Sequence, residues 1–148
     1  MAPTFVDTSA HYAIADAGDK DHSAAVDFLN AAADEGRAFL TSNFIVAETY
    51  GLMLLRLGRG KAINYVRLLR SGSTVVERIT PEDEARAWEI LAQYDDQDFS
   101  YVDATSFALV ERLGILDAFA FDKHFDIFKT KQGRRLTRLP YKRRRRGP

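Results

Sequence analysis

Apolar positions along this chain come in two forms: short unbroken runs, and longer stretches in which they recur three and four residues apart. The first form reads as buried strand and the second as one face of a helix. Thr4 to Val6 is a run that stops at Asp7; Thr8 and Ser9 suit a turn into the helical "AHYAIADAG", closed by Gly18. A second helix, "KDHSAAVDFLNAAADEG", ends at Gly36, and "RAFLTS" is the next strand. Ser42 or Asn43 suits the N-cap of "FIVAETYGLMLLRLG", and "RGKAINYVRLLRSG" is a further helix. The β-branched "STVVERI" is the third strand, followed by Thr80-Pro81-Glu82-Asp83, a helix start with proline in the first turn and acids beside it. That helix runs to about Tyr94, an acidic loop leads into "YVDATSFALVERLG", and "ILDAFAF" is the fourth strand. A short helical turn and an edge strand within "RRLTRLP" complete the order β-α-α-β-α-α-β-α-α-β-α-β. Such alternation predicts an α/β fold: three layers, α/β/α, around a mostly parallel central sheet of four to five strands.

Composition narrows the setting. A chain of 148 residues suits one domain with a sizeable core, here residues 1–140, followed by a basic segment at 141–148. No apolar run approaches the ~20 residues of a membrane span, and the N-terminus lacks a basic-then-apolar signal pattern. The absence of cysteine excludes disulfides and thiolate metal sites, and a cytoplasmic location is the expectation. The zero net charge conceals an asymmetry. Residues 1–122 hold 10 Lys and Arg against 20 Asp and Glu, a net of −10, whereas residues 123–148 hold 11 against one, a net of +10.

The carboxylates are where the chemistry concentrates. Asp7 and Asp122 end the first and fourth strands, and ligands of open α/β sheets bind beyond the carboxyl ends of strands. Each also suits a helix cap or a turn, and taken singly that reading wins. Glu48 has Phe44, Ile45, Gly51 and Leu52 as its helical neighbours, which sets a carboxylate on or beside an apolar stripe; an ion pair with Arg56 or Arg78 is the alternative. Asp103 begins a helix, where an acid suits the dipole, yet Phe107 and Val110 place its side of the helix inward. The combination outweighs the single readings. Two carboxylates about 4 Å apart repel by about 4 kcal/mol at an effective dielectric near 20. Four together require protons, cationic side chains or a bound cation, and oxygen donors favour Mg²⁺ or Mn²⁺ over zinc. His11, His22 and His124 lack helical ligand spacing; His124 is read as packing or solvated, with substrate contact as the lesser alternative.

In these residues the chain resembles the PIN-domain ribonucleases, specifically the VapC-type toxins of prokaryotic toxin–antitoxin pairs. The resemblance rests on "FVDTSAHYA", "TSNFIVAET", "FSYVDATSFALVERLGI" and "AFAFDKHFDIF", in order and across nearly the whole chain. It implies a PIN-like parallel α/β fold and divalent-metal-dependent RNA endonuclease activity. It also implies an acidic metal-binding and catalytic quartet of Asp7, Glu48, Asp103 and Asp122, with Ser9 supporting it and Asp126 and Asp98 as additional acids. Ala120 departs from the threonine often found there. The resemblance further implies an RNA substrate, a cognate antitoxin protein and a homodimer. An acidic pocket repels RNA, so Lys123, Arg134, Arg135, Arg138 and the run Lys142, Arg143, Arg144, Arg145 and Arg146 are the candidate RNA contacts. A catalytically silent binding module and a housekeeping PIN nuclease are the competing readings. A phosphatase lacks its Asp-x-Asp here, since Asp7-Thr8-Ser9 has no second acid.

Overall fold

A computed structural model describes residues 2–140 of the chain; the basic run from Lys142 to Arg146 lies outside the described residues. The elements are β1 (Thr4–Val6), α1 (Thr8–Ala15), α2 (His22–Asp34), β2 (Phe39–Ser42), α3 (Asn43–Leu57) and α4 (Arg59–Ser71). They continue with β3 (Val75–Glu77), α5 (Pro81–Gln93), α6 (Tyr101–Leu113), β4 (Asp117–Phe119), a 3₁₀ turn (Lys123–Asp126) and β5 (Thr137–Leu139). The strands lie in the order β3-β2-β1-β4-β5, every neighbouring pair parallel, so the fifth strand does form an edge. The expected order of elements and the parallel sheet are both present. The fourth strand is shorter than its apolar run, Asp117–Phe119 within "ILDAFAF".

Alternation along the strands builds the three layers. Phe5, Leu40 and Ala118 point to one face and join Ala87 and Ile90 of α5 and Phe107 of α6 in the larger core. Val6 and Phe119, their sequence neighbours, point to the other face and meet Ala10 and Ala13 of α1 and Ala25 of α2. Successive side chains on opposite faces are the ordinary consequence of strand geometry. Here both faces are covered, which is why the strands are apolar without alternation in polarity.

Local signals set the helix ends. Ser42 caps α3 by accepting from Ile45 N at 3.0 Å, while the neighbouring Asn43 accepts from Ile79 N at 2.8 Å and ties α3 to the segment after β3. Thr80 and Ser100 open α5 and α6 with reciprocal capping boxes to Asp83 and Asp103. Gly114 closes α6 at φ 68°, a left-handed conformation that a side chain would strain. The 3₁₀ turn after β4 is fastened from below. Phe125 is fully buried against Phe107, with ring centroids 5.0 Å apart, and against Phe5 at 6.3 Å. Burying such a ring is worth roughly 1.5–3 kcal/mol, and it fixes Asp122 and His124 at the rim of the sheet.

Two of the three histidines are structural. His11 is buried between the Tyr65 hydroxyl (2.8 Å) and Thr41 Oγ1 (3.4 Å), and burial lowers its pKa to about 4, so it is neutral. His22 has Nδ1 2.7 Å from the Ala13 carbonyl. Among the described residues no helix is long and apolar enough to cross a membrane.

Candidate metal centre

The carboxyl ends of β1 and β4 are adjacent in the sheet, and the residues beyond them are stitched together by one hydroxyl. Asp7 is the N-cap of α1: its Oδ2 accepts from Ser9 N at 3.1 Å and from Ser9 Oγ at 2.6 Å. Ser9 Oγ in turn accepts from Phe121 N at 2.9 Å. Ser9 therefore links the end of the first strand to the segment leading into Asp122.

Asp103 enters from α6. Its Oδ2 accepts from Ser100 N at 3.1 Å and lies 2.9 Å from His124 Nδ1. Asp122 caps the 3₁₀ turn, its Oδ1 accepting from His124 N at 2.9 Å and lying 3.5 Å from His124 Nδ1. Ligand atoms of Asp103, Asp122 and His124 all lie within 4.8 Å of one another. The imidazole also rests edge-on against Phe99, with centroids 5.1 Å apart. In each of the three aspartates one oxygen takes the donors named, and the other has no hydrogen-bond partner among the described residues.

Glu48 completes the group from the second turn of α3. It is half-buried and forms no salt bridge among the described residues, so neither Arg56 nor Arg78 neutralises it. The buried Thr8 hydroxyl lies beside it and favours its charged form, without completing a hydrogen bond of ordinary geometry.

The electrostatics tie the four acids together. Burial pushes the Asp7 carboxyl up to about 7 against the bonds from Ser9, and the charges of Asp103 and Glu48 push the same way. Asp103 is raised by burial and by Asp122, which together outweigh its bonds to His124 and Ser100. Glu48 is raised by burial and then by Asp103 and Asp122. Burial lowers the His124 pKa, but the bond to Asp103 and the charges of Asp122 and Asp103 raise it more. Carboxylates held above their ordinary range by burial and by one another are a site short of positive charge. The donors are hard oxygens with one imidazole already committed to Asp103, a set that suits an oxygen-seeking divalent cation.

Other expected residues lie apart from this group. Asp126 is bound to Arg138 Nε at 2.9 Å, and its carbonyl accepts from Arg135 at 2.8 Å, so these three form an exposed ion-paired cluster of their own. Asp98 is exposed and reaches the pocket only through its charge on His124. Lys123 and Arg134 are exposed. His124 is neither packing alone nor freely solvated, as the sequence suggested; it bridges two of the acids. Its position two residues after a strand-end aspartate was the signal that could have found it. Its partner Asp103, 21 residues earlier, is set by the packing of α6 on the sheet.

The PIN domain family matches residues 4–131. The 23S rRNA-specific endonuclease VapC20 of Mycobacterium tuberculosis is 38% identical over 121 residues, 82% of this chain and 90% of that protein. Ribonuclease VapC26 of the same organism is 29% identical over 136 residues, covering 91% and 98%. The crystal structure of VapC20 from Mycobacterium tuberculosis, described as a sarcin–ricin loop cleaving toxin, superposes with a TM-score of 0.75 at 37% identity, covering 81% of this chain and 90% of that one. The segments quoted from the sequence thus sit on a shared fold and a shared order of elements, and the chain belongs to the PIN-domain family.

Proposed function

We propose that this protein is a divalent-metal-dependent RNA endonuclease of the VapC type, hydrolysing phosphodiester bonds at the pocket of Asp7, Glu48, Asp103 and Asp122. One observation carries the reading: four acids from four separate segments are mutually coupled, and each aspartate keeps one oxygen free while the other is tied internally. The free oxygens of Asp7, Asp103 and Asp122, with Glu48, would hold Mg²⁺ or Mn²⁺. Such a cation, when bound, lowers the pKa of an attacking water and offsets charge on the phosphate.

The chain's own residues then orient and exclude. Ser9 fixes the Asp7 carboxylate relative to the β4 end. Ser100 and His124 hold one oxygen of Asp103 and so turn the other outward. Glu48, with a raised pKa and only Thr8 beside it, is the acid with most freedom to orient water. The core beneath, with Phe99, Phe107 and Phe125, supplies the low-dielectric floor against which these charges act strongly.

The relative named for 23S rRNA cleavage makes ribosomal RNA the first substrate to test. A cognate antitoxin and a homodimer belong to the same reading; sedimentation of the purified chain measures the second. The assignment of residues 1–140 as the nuclease domain, with 141–148 as a separate basic segment, is likewise part of it. The deciding experiment is cleavage of ribosomal RNA by purified protein with Mg²⁺, Mn²⁺ or chelator. Asp7→Ala and Asp122→Ala are expected to abolish cleavage while the circular dichroism spectrum stays unchanged. Full cleavage by either variant removes the assignment, and no cleavage of any RNA by the parent chain leaves a binding module.

A further inference from the structure

The net charge of −10 over residues 1–122 hides a local reversal. Residues 49–76 contain Arg56, Arg59, Lys61, Arg67 and Arg70 and not one acid. In the fold this stretch forms most of α3, all of α4 and the approach to β3. Two adjoining grooves of about 470 and 460 Å³ run along it and share Val66 and Arg70. Arg67, Arg70 and Arg78 line them, all exposed, and no acid does. None of the three has a carboxylate within salt-bridge distance among the described residues, whereas Arg37, Arg86, Arg112 and Arg138 are each paired. The groove also offers the side-chain amide of Asn43, whose Oδ1 is already committed to Ile79 N, and the ring of Tyr50.

The placement relative to the acids matters. Tyr50 lies two residues beyond Glu48, about 200° around α3 at helical spacing. The groove and the acidic pocket therefore flank the same helix on opposite sides, separated by roughly the 10–12 Å diameter of a helix with its side chains.

We propose that this groove binds the phosphate backbone of the RNA substrate away from the scissile bond, with Arg67, Arg70 and Arg78 as the contacts. The proposal rests on the nuclease reading above, since a pocket of four acids repels the chain it cuts and attraction must come from elsewhere. Guanidinium forks match phosphate oxygens in geometry as well as charge, and the remaining polar groups suit sugar and phosphate edges. Such contacts position a nucleic acid without reading its bases. The arrangement also predicts a length effect. A short oligonucleotide occupies the acidic side of α3 alone, while a longer folded RNA spans the helix and engages both sides.

The test uses the full chain carrying Asp7→Asn, so that RNA is bound and not cut, with and without the triple substitution Arg67→Ala, Arg70→Ala and Arg78→Ala. The expected result is weaker binding of a ribosomal RNA fragment at least tenfold at moderate salt. The slope of log affinity against log salt should fall by about 2–3, at roughly 0.7–0.9 for each phosphate no longer neutralised. Cleavage of a short oligonucleotide by the triple variant with Asp7 intact should equal that of the parent. Replacement of the three arginines by lysine should restore most of the slope, which a folding defect would not allow. An unchanged slope in the alanine triple overturns the proposal and leaves the groove to an acidic protein partner. Loss of slope in a chain that cuts no RNA keeps the phosphate site and discards the nuclease reading instead.

Discussion

At Asp7 one carboxylate oxygen takes both donors of Ser9, and the other is left without a hydrogen-bond partner among the described residues. The capping role that competes with a metal-binding role in the sequence is therefore compatible with it, because a carboxylate has two oxygens. The same division holds at Asp103, inside a capping box, and at Asp122, at the head of a 3₁₀ turn. The cost of the arrangement is measurable. The Asp7 pKa is raised to about 7 in the folded state from an ordinary 3.8, so the folded chain holds a proton that the unfolded chain gives up. That contribution to stability is fully present below about pH 3.8 and is lost as pH rises through 7. In chelator, Asp7→Asn should match the parent near pH 4 and exceed it by roughly 2–4 kcal/mol at pH 8 in urea unfolding. Added Mg²⁺ should narrow the gap by stabilising the parent. Equal stability of the two at pH 8 in chelator contradicts the charge crowding. The acids themselves are legible in the sequence from strand ends and helix periodicity. The His124 bridge is not, since local pattern carries no information about a ring meeting a carboxylate across a helix junction.

Helices α5 and α6 show what is legible of an element and what is not. The Thr80-Pro81-Glu82-Asp83 start announces α5, and Ser100 three residues before Asp103 announces α6, both through capping chemistry. The way the two helices lock together is absent from either segment alone. Asp83, with its side chain 2% exposed, accepts from Arg112 Nε at 2.8 Å and Nη2 at 2.9 Å, and Arg86 pairs with Glu111. Burial raises the Asp83 pKa, but the Arg112 bonds and the Thr80 amide overcome it and hold the carboxyl below its ordinary value. Its sign is opposite to that of Asp7: this stability is present above the ordinary aspartate range and lost on acidification. Asp83→Ala removes a cap and the buried partner of an exposed arginine, and should cost roughly 1–2 kcal/mol at neutral pH in urea unfolding. Because Asp83 is far along the chain from the quartet and bonded to none of it, activity per folded molecule should be unchanged. Strand limits were the least legible part. Ala120 and Phe121 continue the apolar run of β4, but while the Ala120 amide still bonds Leu139 O of β5, the Phe121 amide goes to Ser9 Oγ, which only the assembled sheet reveals.

Across the whole molecule, charge is sorted by position. Four of the acids gather at one end of the sheet, an acid-free basic stretch covers α4, and 11 of the 21 basic residues follow residue 122. Removing residues 141–148 takes away Lys142 and four arginines, and should lower RNA affinity and its salt slope, read by filter binding at 50 and 200 mM salt. Identical affinity and slope in the shortened chain exclude a role for that segment in RNA contact. The parallel pairing of β5 with β4 decides at which end of the sheet the described chain finishes. A strand running the other way would deliver the chain to the far side of the sheet. Here Leu139 and Pro140 emerge on the same side as Asp7 and Asp122. The described chain thus ends at the carboxyl side of the sheet, the side on which its four clustered acids lie.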